Sequence, residues 1–343
     1  MINKYSKAYR PRRRRWLVLV FFIVTVGVLI YLIGNALAID TNTNINNFGW
    51  RLSETIDYGP IDISLLRTDF DDAAMVYRFY YENRPLDISR HHIVDPDDLV
   101  QFVAFNPQYN QISIFTHVPV MFHVEHNSST DNVYLFATNP RYIYDKIVVI
   151  DPGHGGADTG AIVGNVRESD LVLEISLRIY ELFQQSDSGI KVYMTRHDDS
   201  TVLNSMRSHM ANTIGDLLVS VHTNAYENSQ SAAGTEVLFH PVGLMSAFGN
   251  TGRINISNAR FAQIVQDDLI AELGTRDRGI LERRDLLLLN TATVPTAYIE
   301  IDFKTNPAAL ANLTDPNYQQ RVAQTVYNSI VYVFSSEEFI FED

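Results

Sequence analysis

The chain has 343 residues, 46% hydrophobic and 20% charged, enough for one or two folded domains and unlike a low-complexity or fibrous protein. It has no cysteine, so disulfides, thiolate metal sites and thiol nucleophiles are excluded, and any metal must be held by His, Asp or Glu. Lys and Arg number 27 against 40 Asp and Glu; seven of the basic residues precede Trp16, leaving 20 against 40 downstream, a balance that repels nucleic-acid phosphates.

The basic residues at the start (Lys4, Lys7, Arg10, Arg12, Arg13, Arg14 and Arg15) fill segment 1–15, with no acid among them. The following 24 residues, WLVLVFFIVTVGVLIYLIGNALAI, carry no charge. As a helix, Trp16 to Ile33 would reach roughly 27 Å at ~1.5 Å per residue, close to the thickness of a bilayer's hydrocarbon core. Segment 16–38 therefore reads as a single-pass signal-anchor at the cell membrane. The arginines hold its front in the cytoplasm, and the remainder lies on the extracytoplasmic side. The alternative is secretion after cleavage near Ala38, since Ala36-Leu37-Ala38 is an A-x-A site. Residues 39–48 form a polar linker rich in Asn and Thr.

Segment 49–144 reads as a small strand-rich region whose role is not legible. RTDFDDAAMVYRFYYEN predicts a short helix, while QISIFTHVPVMFHVEH and NVYLFATN alternate as strands do. Its histidines make poor metal ligands: His123 and His126, three apart on a strand, point to opposite faces.

Residues 145–343 change texture. Apolar strand candidates KIVVI (146–150), KVYMT (191–195), LLVSVH (217–222), TEVLF (235–239) and AYIEIDF (297–303) alternate with helical periods. In ESDLVLEISLRIYELF, Leu171, Ile175, Ile179, Leu182 and Phe183 mark one apolar face. LNSMRSHMANTI, NARFAQIVQDDLIAEL and NYQQRVAQTVYNSIVYVF supply further helices. The alternation predicts an α/β fold: a three-layer domain with a largely parallel twisted sheet between helices. In such sheets ligands gather at the C-terminal ends of strands. His154 follows the first strand within DPGHGG, and His222 closes the third.

Each of these residues has a plain structural explanation when taken alone. His222 can cap a strand, and Glu168 at a helix start favours the macrodipole. Glu300 is harder to set aside. It lies with Tyr298 and Asp302 on the polar face of an otherwise apolar strand, where a buried carboxylate needs a partner or a cation. Together they suit one chemistry: two imidazoles and a carboxylate can bind Zn2+ with a position left for water, which a nearby carboxylate can deprotonate.

VVIDPGHGGADTGA, RESDLVLEISLRIYEL, YMTRHDD, LNSMRSHMAN, DLLVSVHTNA, GTEVLF and PTAYIEIDFKTN run in order along the last ~200 residues. This series resembles the zinc-dependent N-acetylmuramoyl-L-alanine amidases of the bacterial cell-wall hydrolase type, with an amidase_3 catalytic domain. The resemblance implies that His154, Glu168 and His222 bind Zn2+ and that Glu300 activates water. The substrate would be peptidoglycan, cut between the lactyl group of N-acetylmuramic acid and L-Ala of the stem peptide. Asp151 and Asp158 are expected to shape the loop around His154, and Arg196, Asp199 and Arg207 to pair internally. Asn224 and Arg207 are further candidates for substrate contact or support.

One departure stands out. After the catalytic Glu the family pattern has an apolar residue and then Gly-Phe, but here it is Ile301-Asp302-Phe303. Asp302, about 7 Å along the strand from Glu300, either raises the pKa of Glu300 or turns away at the strand end. The first possibility keeps open a second reading, a weak or inactive amidase-like protein that binds or scaffolds peptidoglycan. A third, a zinc peptidase cutting stem-peptide bonds, shares the metal chemistry. Between strand 235–239 and helix 257–273 lie seventeen residues, too few for a helix that blocks the cleft. No repeat module for wall binding is recognisable, and the sequence names no protein regulator.

Overall fold

The structure is a computed structural model that describes residues 60–71, 75–82, 85–241 and 254–339. The basic segment 1–15, the apolar segment 16–38, the linker 39–48 and most of the 240–256 connection lie outside them. Among the described residues no helix is long and apolar enough to cross a membrane. The chain divides into two units. One takes in residues 60–69, 77–115 and 123–136, the other mainly the chain from Ala137 onward.

The first of these regions is built mainly of strands, with short 3-10 turns at Ile63–Leu65 and Ile88–Arg90. β1 (Leu66–Asp71), β2 (Val76–Tyr81), β3 (His91–Val94), β4 (Val100–Asn106), β5 (Gln111–Thr116), β6 (Met121–Asn127) and β7 (Asn132–Thr138) form two sheets, in the orders β1-β2-β5-β4 and β3-β7-β6. Over RTDFDDAAMVYRFYYEN, where the sequence predicts a short helix, the described residues form β1 and β2 instead. The reason is visible in β2, where Tyr77, Phe79 and Tyr81 are buried at a period of two. Aromatic and β-branched side chains favour such a half-buried pleated surface over a helix. In β7, Val133, Leu135 and Ala137 point inward in the same way.

The histidines of this region have local partners. The ring of His91 reaches the Asp87 carbonyl at 2.7 Å, and His92 stacks on Tyr134. His123 faces Glu125. His126 joins a small network around Asp131, whose carboxylate takes the Ile61 amide at 3.0 Å, Arg90 at 2.6 Å and His126 at 2.7 Å.

The second unit carries the α/β domain. Its strands and helices are β8 (Ile147–Pro152), β9 (Ile162–Val163), β10 (Val166–Arg167), α1 (Glu168–Gln184), β11 (Lys191–Met194), α2 (Asn204–Ile214), β12 (Leu217–Asn224), β13 (Thr235–Phe239), α3 (Asn258–Leu273), β14 (Asp277–Glu282), α4 (Leu287–Thr291), β15 (Thr296–Phe303), α5 (Pro307–Leu313) and α6 (Pro316–Ser335). Six strands form one sheet in the order β11-β8-β12-β15-β13-β14. All neighbours are parallel except β13 and β15, which run antiparallel and make the sheet mixed.

Every residue of β8 is buried, as expected of a parallel strand covered on both faces. Val148, Ile150, Val219, Val221, Ile299 and Ile301 share one core with the apolar stripes of α1, α3 and α6. Ile147, Val149 and Leu218 are equally buried outside that core, and α2 packs against β8. Helices thus flank the sheet, and the C-terminal ends of β8 and β12 open side by side.

The Asp131 network predicts an acid-sensitive contribution to stability. The Ile61 amide, opposed by burial and then aided by His126 and Arg90, holds the Asp131 carboxyl below the usual carboxylate range. A depressed folded-state pKa stabilises above the unfolded value of about 4, and the gain disappears as pH falls through the folded value. Asp131→Asn should therefore lower the melting temperature at neutral pH and flatten its decline in acid. Thermal unfolding followed against pH in both proteins checks this.

Candidate active site

The site begins with the loop after β8, where two features bring backbone and ring together. Gly153 is required by close approach: a Cβ there would lie 2.0 Å from Cε1 of His222. His154 itself has φ of 58°, a left-handed conformation uncommon for a non-glycine residue. Such backbone persists only where its surroundings hold it.

Two buried arginines provide that hold. Arg207 donates to the carbonyls of Pro152 at 2.7 Å, His154 at 2.6 Å and Val202 at 3.0 Å, and pairs with Asp151 at 2.5 Å. Arg196 donates to the carbonyls of Pro152, Gly153, Ser169 and Asp198. Asp151 also accepts from Thr195 at 2.6 Å and Ser220 at 2.7 Å, which ties β8 to its neighbours in the sheet. Burial alone would raise the Asp151 carboxyl, but Arg207 and the two hydroxyls hold it below its ordinary value. Arg207 is thus buried and engaged by protein, which fits the supporting role expected of it.

His154, Glu168 and His222 converge, each offering a ligand atom within 4.8 Å of the others. Oε1 of Glu168 lies 3.3 Å from Nε2 of His154 and 3.1 Å from Nδ1 of His222. The hairpin β9–β10 delivers Glu168 as the first residue of α1, and β12 delivers His222. The far nitrogen of His154, Nδ1, meets Asp158 at 2.8 Å, fixing the ring. Tyr298 stacks on His222, with centroids 4.2 Å apart and planes within 11°. Burial opposes ionisation of Glu168, but hydrogen bonds from His154 and His222 and the charge of Lys304 hold its carboxyl far below the usual range.

Glu300 sits beside this cluster, in register with His222 on the neighbouring strand. Burial, then the charges of Glu168 and Glu236, push its carboxyl well above the usual range. Its Oε2 is buried without a hydrogen-bond partner. Two imidazoles and an ionised carboxylate, with an orphaned carboxylate oxygen beside them, form a donor set that could hold a metal ion.

The carboxylate that crowds Glu300 is not Asp302. Between Glu300 and Phe303 the pairing with β12 shifts by a residue, a bulge that changes the phase of the strand. Asp302 lies in it, buried, and accepts the amides of Gly234 at 2.8 Å and Phe303 at 2.7 Å. The second of the two expectations for this residue is the one observed. Glu236 takes the neighbouring place because antiparallel β13 sets it opposite Glu300. It is held by Arg278 at 2.5 Å and by Asn224 at 2.9 Å, so the Asn224 amide faces a carboxylate of the site.

Sequence reasoning missed Glu236, Tyr298 and Lys304 as members of this site. Glu236 depends on a strand direction that no motif records. Lys304 carried a signal: a lysine directly after an apolar strand that also bears Glu300. It is fully buried, and its Nζ lies 2.9 Å from Oε2 of Glu168.

This α/β domain sets two histidines at the ends of adjacent strands, a glutamate at a helix start between them and a carboxylate in register beside them, a layout that could hold a metal for hydrolysis. The chain belongs to the Amidase_3 family of N-acetylmuramoyl-L-alanine amidases, whose model matches residues 148–332. It is 28% identical to the germination-specific N-acetylmuramoyl-L-alanine amidase of Bacillus subtilis over 56% of this chain and 81% of that protein. It is 32% identical to the uncharacterised protein YqiI of the same organism, over 55% of this chain and 84% of that one. A crystal structure of an N-acetylmuramoyl-L-alanine amidase from Clostridium difficile 630 shares 30% identity at a TM-score of 0.49, covering 56% of this chain and 98% of the other.

Asp151→Asn should destabilise the domain by about 3–5 kcal/mol, because it strands the buried Arg207 charge. Denaturant unfolding of the two proteins measures it.

Proposed function

We propose that the protein is an exported N-acetylmuramoyl-L-alanine amidase that uses zinc to hydrolyse peptidoglycan at the bond between N-acetylmuramic acid and L-Ala. The observation that carries this reading is the meeting of His154, Glu168 and His222 with the partnerless carboxylate of Glu300 beside them. Family membership supplies the reaction class, and the names of the relatives supply the bond.

His154, Glu168 and His222 would hold the metal, the two rings fixed by Asp158 and Tyr298. When bound, zinc supplies Lewis-acid polarisation of the scissile carbonyl and a more acidic water. Glu300, in register with His222 and with one buried oxygen unpartnered, would be placed to take a proton from the attacking water and return it to the departing nitrogen. The carbonyl carbon gains a C–O bond as its C–N bond breaks. The products are a lactyl carboxylate on intact glycan and a peptide with a free L-Ala amino terminus.

The reading of a weak or inactive scaffold rested on Asp302, whose carboxylate is taken up by backbone amides. For location, the basic segment 1–15 and apolar segment 16–38 support an anchor that holds the catalytic domain on the cell-wall side. Release after cleavage near Ala38 is the alternative.

Glu300→Gln should lower turnover roughly 10²–10⁴-fold while zinc stays near one ion per chain. Mass spectrometry of peptidoglycan digests, with metal counting, checks both. Loss of L-Ala-terminated peptides identifies the base, and a different new amino terminus points to a peptidase. Asp158→Asn should leave the fold intact and weaken zinc binding by roughly 10–100-fold, read by competition with a chelator.

A further inference from the structure

The two oxygens of Glu168 have separate partners. Oε1 faces Nε2 of His154 and Nδ1 of His222, and it also receives the Thr223 amide at 3.2 Å. Oε2 receives the Ala161 amide at 3.1 Å and the Lys304 ammonium at 2.9 Å. A carboxylate oxygen accepts about two good hydrogen bonds, so Oε2 is filled. The Lys304 contact is charge-assisted and wholly buried, the strong kind that resists exchange. Lys304 reaches this place because its amide bonds to the Asn224 carbonyl at 2.9 Å, just past the bulge that re-phases β15.

We propose that Lys304 is a positioning residue that makes Glu168 a one-oxygen metal donor, and that this selects zinc over larger, oxygen-preferring divalent cations. The inference rests on the metal reading given above and adds to it. Zinc sites are commonly four-coordinate, so a single carboxylate oxygen beside two imidazoles leaves one position open. Larger hard cations take more oxygens, often both from one carboxylate, and gain from negative charge around them. With Oε2 closed off, the second oxygen is withheld.

The test uses the full-length chain, stripped of metal and titrated with Co2+, Zn2+ and Mn2+. Wild type should give the intense visible absorption of four-coordinate Co2+ and prefer Zn2+ strongly over Mn2+. Lys304→Met should bind Co2+ with the weaker bands of a five- or six-coordinate ion, and its preference for Zn2+ over Mn2+ should fall roughly tenfold or more. Lys304→Arg, which keeps charge and donors, should restore the wild-type spectrum. An unchanged spectrum and an unchanged metal preference in Lys304→Met overturn the proposal and leave the amidase reading standing. Failure of wild type to take up any of the ions overturns the metal reading itself. Should Lys304→Met not fold by circular dichroism, the crystal structure of zinc-loaded wild type decides. Oε1 on the metal with Nζ on Oε2 supports the proposal; both oxygens on the metal, or Nζ moved off Oε2, overturns it.

Discussion

The site depends on the buried pair between Arg207 and Asp151. That contact joins the end of β8 to α2, and the same guanidinium then reaches the carbonyls of Pro152 and His154. Without it the loop would have little reason to keep His154 in a left-handed conformation. Arg196 completes the clamp using carbonyl partners alone, and burial, followed by the nearby charge of Arg207, lowers its pKa to about 10. One carboxylate thus stands among two buried guanidiniums, and carbonyl dipoles make up the rest. A buried network of this kind holds one geometry when fully satisfied and is costly when broken.

Around that support the domain separates the roles of its carboxylates by environment. Glu168 receives imidazole, ammonium and amide donors and stays ionised. Glu236 is paired with Arg278 and held by Asn224. Glu300 is left with burial and two like charges, so its proton is held more tightly. Pairs of acids pushed apart in this way are how one pocket can offer both a metal ligand and a proton carrier. The one antiparallel neighbour in the sheet matters here, because it is what brings Glu236 across from Glu300.

Much of the α/β domain was legible because its strands are short apolar runs that stop abruptly at polar residues, and its helices carry one clear stripe. DPGHGG and SVHTNA announced chemistry by placing histidines where such runs end. What could not be read were features set by pairing. Asp302 shares a face with Glu300 in any regular strand, and only the bulge separates them. Lys304 looks like an ordinary residue after a strand until the same bulge carries it to Glu168. In the strand-rich region, the acids and alanines of RTDFDDAAMVYRFYYEN imitate a helix, while the alternating burial of Tyr77, Phe79 and Tyr81 is what decides.

β15 lies between β12 and β13 inside the sheet, carrying Ile299 and Ile301 into the core and Tyr298 and Glu300 to the site. The order of assembly follows from that position. His154, Glu168 and His222 all precede β15 in the chain, yet the ring that stacks on His222 and the ammonium that holds Glu168 arrive with this late segment. The pocket is therefore complete only once β15 and Lys304 are in place, and the hydrophobic core only once α6 has followed them. A metal that binds only the finished pocket draws the chain toward the folded state by mass action. On the proposed metal reading, metal supply would set how much folded protein accumulates as well as how fast it works.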